Sequence, residues 1–176
     1  MPQARQTKTG TKKLSEVAKH LVLPTGITKS GFPAVRDQLA KLDVTLDEWQ
    51  SGLGRSMLAK RANGLYAAGI GGIIISICRQ VGKTFTVGAI IFALCILFPG
   101  LKVLWTAHRA RTSDETFKWM QGFARQRKIA PHVLIVRQAN GQQEILFKNK
   151  SRIMFGAREG GFGRGFDGVD VEVFDE

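Results

Sequence analysis

The chain has 176 residues, 44% of them hydrophobic, enough for a domain with a real core. Its net charge is +12, from 26 basic and 14 acidic residues, which suggests a polyanion partner, with a solvated basic surface as the alternative. Two cysteines, Cys78 and Cys95, have no metal-ligand spacing and fit a reduced, intracellular protein, and no secretory signal is expected from the polar, basic N-terminus.

Residues 1–13 carry Arg5, Lys8, Lys12 and Lys13 and no acid, and read as a disordered basic tail. A short helix is expected over residues 14–23, stopped by Pro24-Thr25-Gly26. Gly31-Phe32-Pro33 is another break, and residues 35–42 read as one or two amphipathic turns. A helix start follows, with Thr45 as N-cap and Glu48 three residues on. That helix is expected to run to about residue 68, weakened by Gly52, Gly54 and Gly64. Gly69, Gly71 and Gly72 lead into the next segment.

Residues 73–84 read IIISICRQVGKT. The β-branched apolar run predicts a buried core strand. It ends in Gly82-Lys83-Thr84, the close of a phosphate-binding loop. The usual pattern, GxxxxGK[ST], puts its first glycine at position 77, where this chain has Ile77, so the loop is a variant. Gly82 lets the backbone approach a phosphate, and N–H groups of the turn and helix start donate to its oxygens. Lys83 would reach the β and γ phosphates, and the Thr84 hydroxyl would hold Mg²⁺. Cys78, Arg79, Gln80, Val81, Gly82, Lys83 and Thr84 are therefore the candidate ATP-binding segment; a chance GKT in a turn is the alternative. Upstream, the Gln50 amide can donate to and accept from an adenine edge.

A helix is expected over residues 84–97, ended by Pro99-Gly100. The apolar run 85–98 has 14 residues, short of the roughly 20 that span a bilayer, so it reads as a buried core helix. Residues 102–107 form a strand, and Thr112-Ser113-Asp114-Glu115 opens a helix to about Lys128. Between Lys102 and Lys128 there are seven Lys or Arg against two acids. A strand over 133–137 and an antiparallel hairpin of 144–148 with 152–156 follow. Residues 160–168 hold five glycines, and are expected to be mobile or pressed against a ligand. The last strand, 169–174, closes on Asp175-Glu176. Asp170 and Glu172 alternate with valines there, so either one strand face is exposed or Glu172 has a polar partner. Trp49, Trp105 and Trp119 are read as core.

This order gives an α/β fold with a largely parallel sheet flanked by helices. Ligands in such sheets sit at the carboxyl ends of strands, where Lys83-Thr84 and Asp175-Glu176 are expected to converge. Asp175 would bind Mg²⁺ through its water shell, and Glu176 would orient and deprotonate the attacking water. Arg79 and Arg164 would stabilise charge developing on the γ phosphate; a surface arginine away from phosphate is the alternative for each.

Five segments carry a family resemblance: LDEWQ (46–50), CRQVGKT (78–84), VLWTAHRARTSDETF (103–117), SRIMFGAREGGFGRGF (151–166) and VDVEVFDE (169–176). The chain resembles the N-terminal ATPase domain of the large terminase subunit of tailed bacteriophages over nearly everything from residue 46 onward. The RQxGKT loop and an Arg-Gly shortly before the DE strand are particular to that family. The resemblance implies a P-loop NTPase of the ASCE, RecA-like type, a motor that packages double-stranded DNA into a preformed capsid. It implies ATP and Mg²⁺ as cofactors, a homo-oligomeric ring, and the portal protein and small terminase subunit as partners. It places the protein in the host cytoplasm during phage assembly, transiently at the procapsid portal, with no membrane. By the same resemblance Gln50 contacts adenine, Arg79 acts within its own subunit, Arg164 is a finger for the neighbouring subunit, and Asp175 and Glu176 are the acidic pair. Family members continue with more sheet, a coupling motif and a nuclease domain. Residues 14–176 are thus expected to be the N-terminal part of a P-loop ATPase domain, incomplete at its C-terminal end, with the nuclease domain absent. A helicase-type P-loop ATPase and a non-catalytic DNA-binding remnant are the alternatives.

Overall fold

The computed structural model describes residues 11–69, 71–78, 80–139 and 142–175. Most of the expected basic tail therefore lies outside the described residues. The chain divides into two units, Met1–Ile90 and Ile91–Glu176, each described by itself.

In the first unit, α1 (Leu14–Val17) is a single turn, not a helix to residue 23. None of its residues is buried, and a helix this marginal needs a packed face to extend. Then come β1 (Ile27–Ser30) and α2 (Phe32–Lys41), which carries Pro33 in its first turn, where no intrahelical N–H is needed. α2 buries Phe32, Val35, Gln38 and Leu39. α3 (Glu48–Met57) starts later than expected, because Asp47 and not Thr45 is its N-cap. Gln50, at the third helical position, accepts the Asp47 N–H at 2.8 Å and completes a capping box.

α3 ends well before residue 68 because the chain folds back on itself. β2 (Ala59–Arg61) pairs antiparallel with β1, then turns through Asn63 and Gly64, the latter at φ +83. The Arg61 N–H donates to Leu65 O at 3.0 Å, and Ala67 N–H to Ala59 O at 2.8 Å. The α3 glycines are points of close approach. A Cβ on Gly52 would lie 2.7 Å from the Leu14 Cβ of α1, and one on Gly54 would overlap the Phe32 ring of α2.

The apolar run 73–77 is not a strand, contrary to expectation. Among the described residues it has no ladder partner, and Ile74 is 94% exposed. β-branched residues favour a strand only where a neighbour takes up the backbone N–H and C=O groups. This irregular segment leads to α4 (Lys83–Leu97), whose residues 86–95 are buried, as expected of a core helix. No helix among the described residues is long and apolar enough to cross a membrane.

The second unit holds the rest of α4, then β3 (Lys102–Ala107), α5 (Ala110–Ala124), β4 (Val133–Arg137), β5 (Glu144–Phe147), β6 (Arg152–Ala157) and β7 (Val171–Asp175). Its sheet runs in the order β4-β5-β6-β3-β7. β3 is parallel to β6 and β7, but β5 is antiparallel to both β4 and β6. The sheet is therefore mixed rather than largely parallel. The tight turn at Asn149-Lys150-Ser151 permits only a hairpin between β5 and β6, and a hairpin is antiparallel. That turn also closes α4: Asn149 Nδ2 and the Ser151 hydroxyl donate to Cys95 O at 2.8 and 2.6 Å.

Register aligns Trp105 with Phe155 and Val173, and Ala107 with Asp175. Side-chain alternation then puts Val103, Trp105, Phe155 and Asp175 on one face. α5 covers that face, with Phe117 and Phe155 rings 5.1 Å apart. Phe92 of α4 meets Phe123 and Phe147 edge-on at 4.9 and 5.4 Å. The opposite face is met by the glycine-rich loop, which is pressed onto its own sheet. A Cβ on Gly156 would overlap the Phe162 ring, and one on Gly163 would lie 3.2 Å from Leu104 Cδ2. β7 exposes Glu172 and Phe174, so the alternating acids mark an exposed face. Trp49 and Trp105 are core, but Trp119 is 37% exposed and stacks on Phe123 at 5.5 Å. Its position on α5 lies beside the buried stripe rather than in it.

Candidate functional site

Gly82 has φ +91, a conformation open to glycine and strained for other residues. α4 starts at the next residue, so its first N–H groups face back toward the loop. The Thr86 N–H and hydroxyl both donate to Gly82 O, at 2.9 and 2.8 Å, and pin that junction. The Lys83 and Thr84 side chains are half-buried and have no hydrogen-bond or ion-pair partner among the described residues. The first turn of α4 contains no acid. An ammonium without a counter-charge, at the positive end of a long helix, suits an anion.

Gln50 is brought to this loop from α3. It is 6% exposed, and a Cβ on Gly82 would lie 3.1 Å from its Nε2. Its Oε1 accepts the Asp47 N–H, so the helix start fixes the carboxamide with its NH₂ beside Gly82. Gln80 is left-handed at φ +62, and Cys78 and Val81 are exposed. Arg79 and Glu176 lie outside the described residues.

In the second unit, Asp175 ends β7 and is half-buried. Its Oδ2 accepts from Trp105 Nε1 at 3.3 Å and from the Thr116 hydroxyl at 3.2 Å. Its Oδ1 has no partner among the described residues. On the other face, the Thr106 hydroxyl donates to Val173 O at 3.2 Å. Arg158 Nη1 donates to both Thr106 O and Thr106 Oγ1 at 2.9 Å, and its guanidinium lies 5.4 Å from the Phe174 ring centroid. Glu159 Oε1 accepts the Ala110 N–H at 2.8 Å and fixes the start of α5. Arg164 is exposed, and its side chain has no polar partner among the described residues.

Trp105, Thr106, Thr116, Arg158 and Glu159 are absent from the sequence-derived site. For Thr116 a signal existed. It and Ser113 put hydroxyls into a buried helical stripe otherwise made of Phe117, Met120, Phe123 and Ala124. Nothing in the sequence pattern separated Arg158 from its neighbour Arg164.

Thr84 and Asp175 each offer an oxygen that is uncommitted among the described residues, and hydroxyl and carboxylate oxygens are the donor types that Mg²⁺ takes. They belong to different units. Comparison with known proteins finds no matching family model, curated protein or solved structure.

Proposed function

We propose that the chain is the ATP-hydrolysing part of a DNA-packaging motor of the large terminase subunit type, built on a P-loop NTPase fold. One observation supports this most. Gly82 is left-handed at the start of a long helix, and the Lys83 and Thr84 side chains behind it are uncommitted. Lys83 binds the β and γ phosphates against the helix N-terminus, and the Gln50 NH₂ faces the same loop. Thr84 would hold Mg²⁺ directly and Asp175 through water, and the ion would supply charge neutralisation to the phosphates. Glu176 takes the proton of the attacking water; Arg79 acts in its own subunit and Arg164 in the next. The +12 charge suits double-stranded DNA as the translocated partner. In the assembled motor the ring docks on the portal with the small subunit, in the host cytoplasm during phage assembly.

Cys78 gives a direct test, because it is exposed inside the candidate loop whereas Cys95 is buried. Native-state alkylation is expected to label Cys78 quickly, and ATP with Mg²⁺ to slow it several-fold. Lys83→Ala should abolish that protection at the same ATP concentration. Labelling that millimolar ATP leaves unchanged would remove the proposal. The +12 charge favours a second reading, a non-catalytic DNA-binding remnant. Protection of Cys78 with no phosphate release would support it.

A further inference from the structure

We infer that Trp105 and Thr116 are positioning residues for the Asp175 carboxylate, selecting the side-chain rotamer that presents Oδ1 to the water shell of a bound metal. The inference rests on the nucleotide reading above. An aspartate at the end of an exposed strand samples several rotamers of similar energy. Here two donors close on one oxygen. The Trp105 indole N–H can only donate, and its ring is 1% exposed and packed by register beside Phe155 and Val173. The Thr116 hydroxyl comes from α5, 7% exposed, and reaches the same Oδ2. The bonds thus tie Asp175 to β3 and α5 together, while Oδ1 stays uncommitted among the described residues.

A second observation points toward a ligand. Ser113 lies one helical turn before Thr116 on the same buried stripe. It is 3% exposed, and its hydroxyl has no hydrogen-bond partner among the described residues. A buried hydroxyl left unmatched is costly, and a water of a metal's shell is a partner that would satisfy it. The bland alternative is that the two bonds only brace β7 against the sheet. The two accounts differ in what metal does for nucleotide affinity. Bracing affects ATP binding with and without metal alike; positioning affects only the metal-dependent part.

The test is equilibrium dialysis of ATP against the full chain, in EDTA and in excess Mg²⁺, with the ratio of the two affinities as readout. Thr116→Val should leave the EDTA affinity unchanged and lower the Mg²⁺-dependent gain about tenfold, the worth of a hydrogen bond to a charged group. Thr116→Ser should restore the gain. Trp105→Phe removes the other donor and is read the same way, so either variant decides if the other does not fold. A wild-type gain in Thr116→Val, together with its loss in Asp175→Asn, would overturn the inference and leave the nucleotide reading standing. Wild-type protein that binds no ATP in either buffer would overturn both.

Discussion

Burial separates the chemistry of the two cysteines. Cys95 sits in α4 with no exposed surface, and burial pushes its thiol far above the ordinary value of 9.0, against a smaller opposing effect of the Ser151 hydroxyl. The folded chain thus keeps the proton at pH values where the unfolded chain releases it. The associated stability is fully present below pH 9 and is lost as pH rises beyond it, by about 1.4 kcal/mol per pH unit. Cys95→Ala should remove this one-proton slope. Urea unfolding at several pH values from 8 to 10 checks it; parallel curves for both proteins would show that Cys95 does not shape the alkaline limb. At this scale the candidate residues that the sequence marks are local ones: Gly82, Lys83 and Thr84 are adjacent, and Asp175 ends a strand. The sequence hid Trp105 and Thr116, because they meet Asp175 across 70 and 59 residues of chain.

Glycines in helices show how an element's stability depends on what lies beside it. Gly122 is exposed in α5, and a Cβ there would meet nothing within 4 Å. Gly122→Ala should therefore stabilise the chain by about 1 kcal/mol, the ordinary helix preference. Gly54 in α3 carries the Phe32 ring where its Cβ would go, so Gly54→Ala should destabilise by about 1–3 kcal/mol despite the same helix preference. Denaturation midpoints of the two variants should move in opposite directions; a gain in both would mean that Phe32 yields freely. The same dependence explains which elements were legible. Residues 102–107, 133–137 and the hairpin about Asn149-Lys150-Ser151 showed clear strand composition or turn signals and formed as expected. The run 73–77 had the strongest β-branched composition and formed no strand, because composition supplies no ladder partner. The fold-back of β2 onto residues 65–67 was missed, although Asn63-Gly64 between them is a hairpin signal in its own right, and the β1–β2 pair was missed because α2 and α3 separate its strands in the chain.

At the scale of the molecule, alternating strands and helices revealed an α/β chain, whereas the mixed direction of the sheet depends on pairings that no single segment encodes. Arg164 gains its meaning at this scale too. Its loop is fixed to the sheet by Phe162 over Gly156 and by Gly163 beside Leu104, so the exposed guanidinium is carried on an anchored base. In the proposed ring it would complete the ATP site of the neighbouring subunit. An arginine supplied across an interface raises turnover by about 10³–10⁵-fold, roughly 4–7 kcal/mol of barrier. The alternative is that Arg164 braces only its own loop. Co-assembly separates the two in the ring-forming protein. Arg164→Ala subunits retain Glu176, and Glu176→Gln subunits retain Arg164, so rings of either alone should be inactive. Where an Arg164→Ala subunit receives its neighbour's arginine, one complete site returns. Recovery of ATP hydrolysis in mixed rings, greatest near equal proportions, is the expected result. Mixed rings that assemble normally and stay inactive at every ratio would show that Arg164 serves its own subunit.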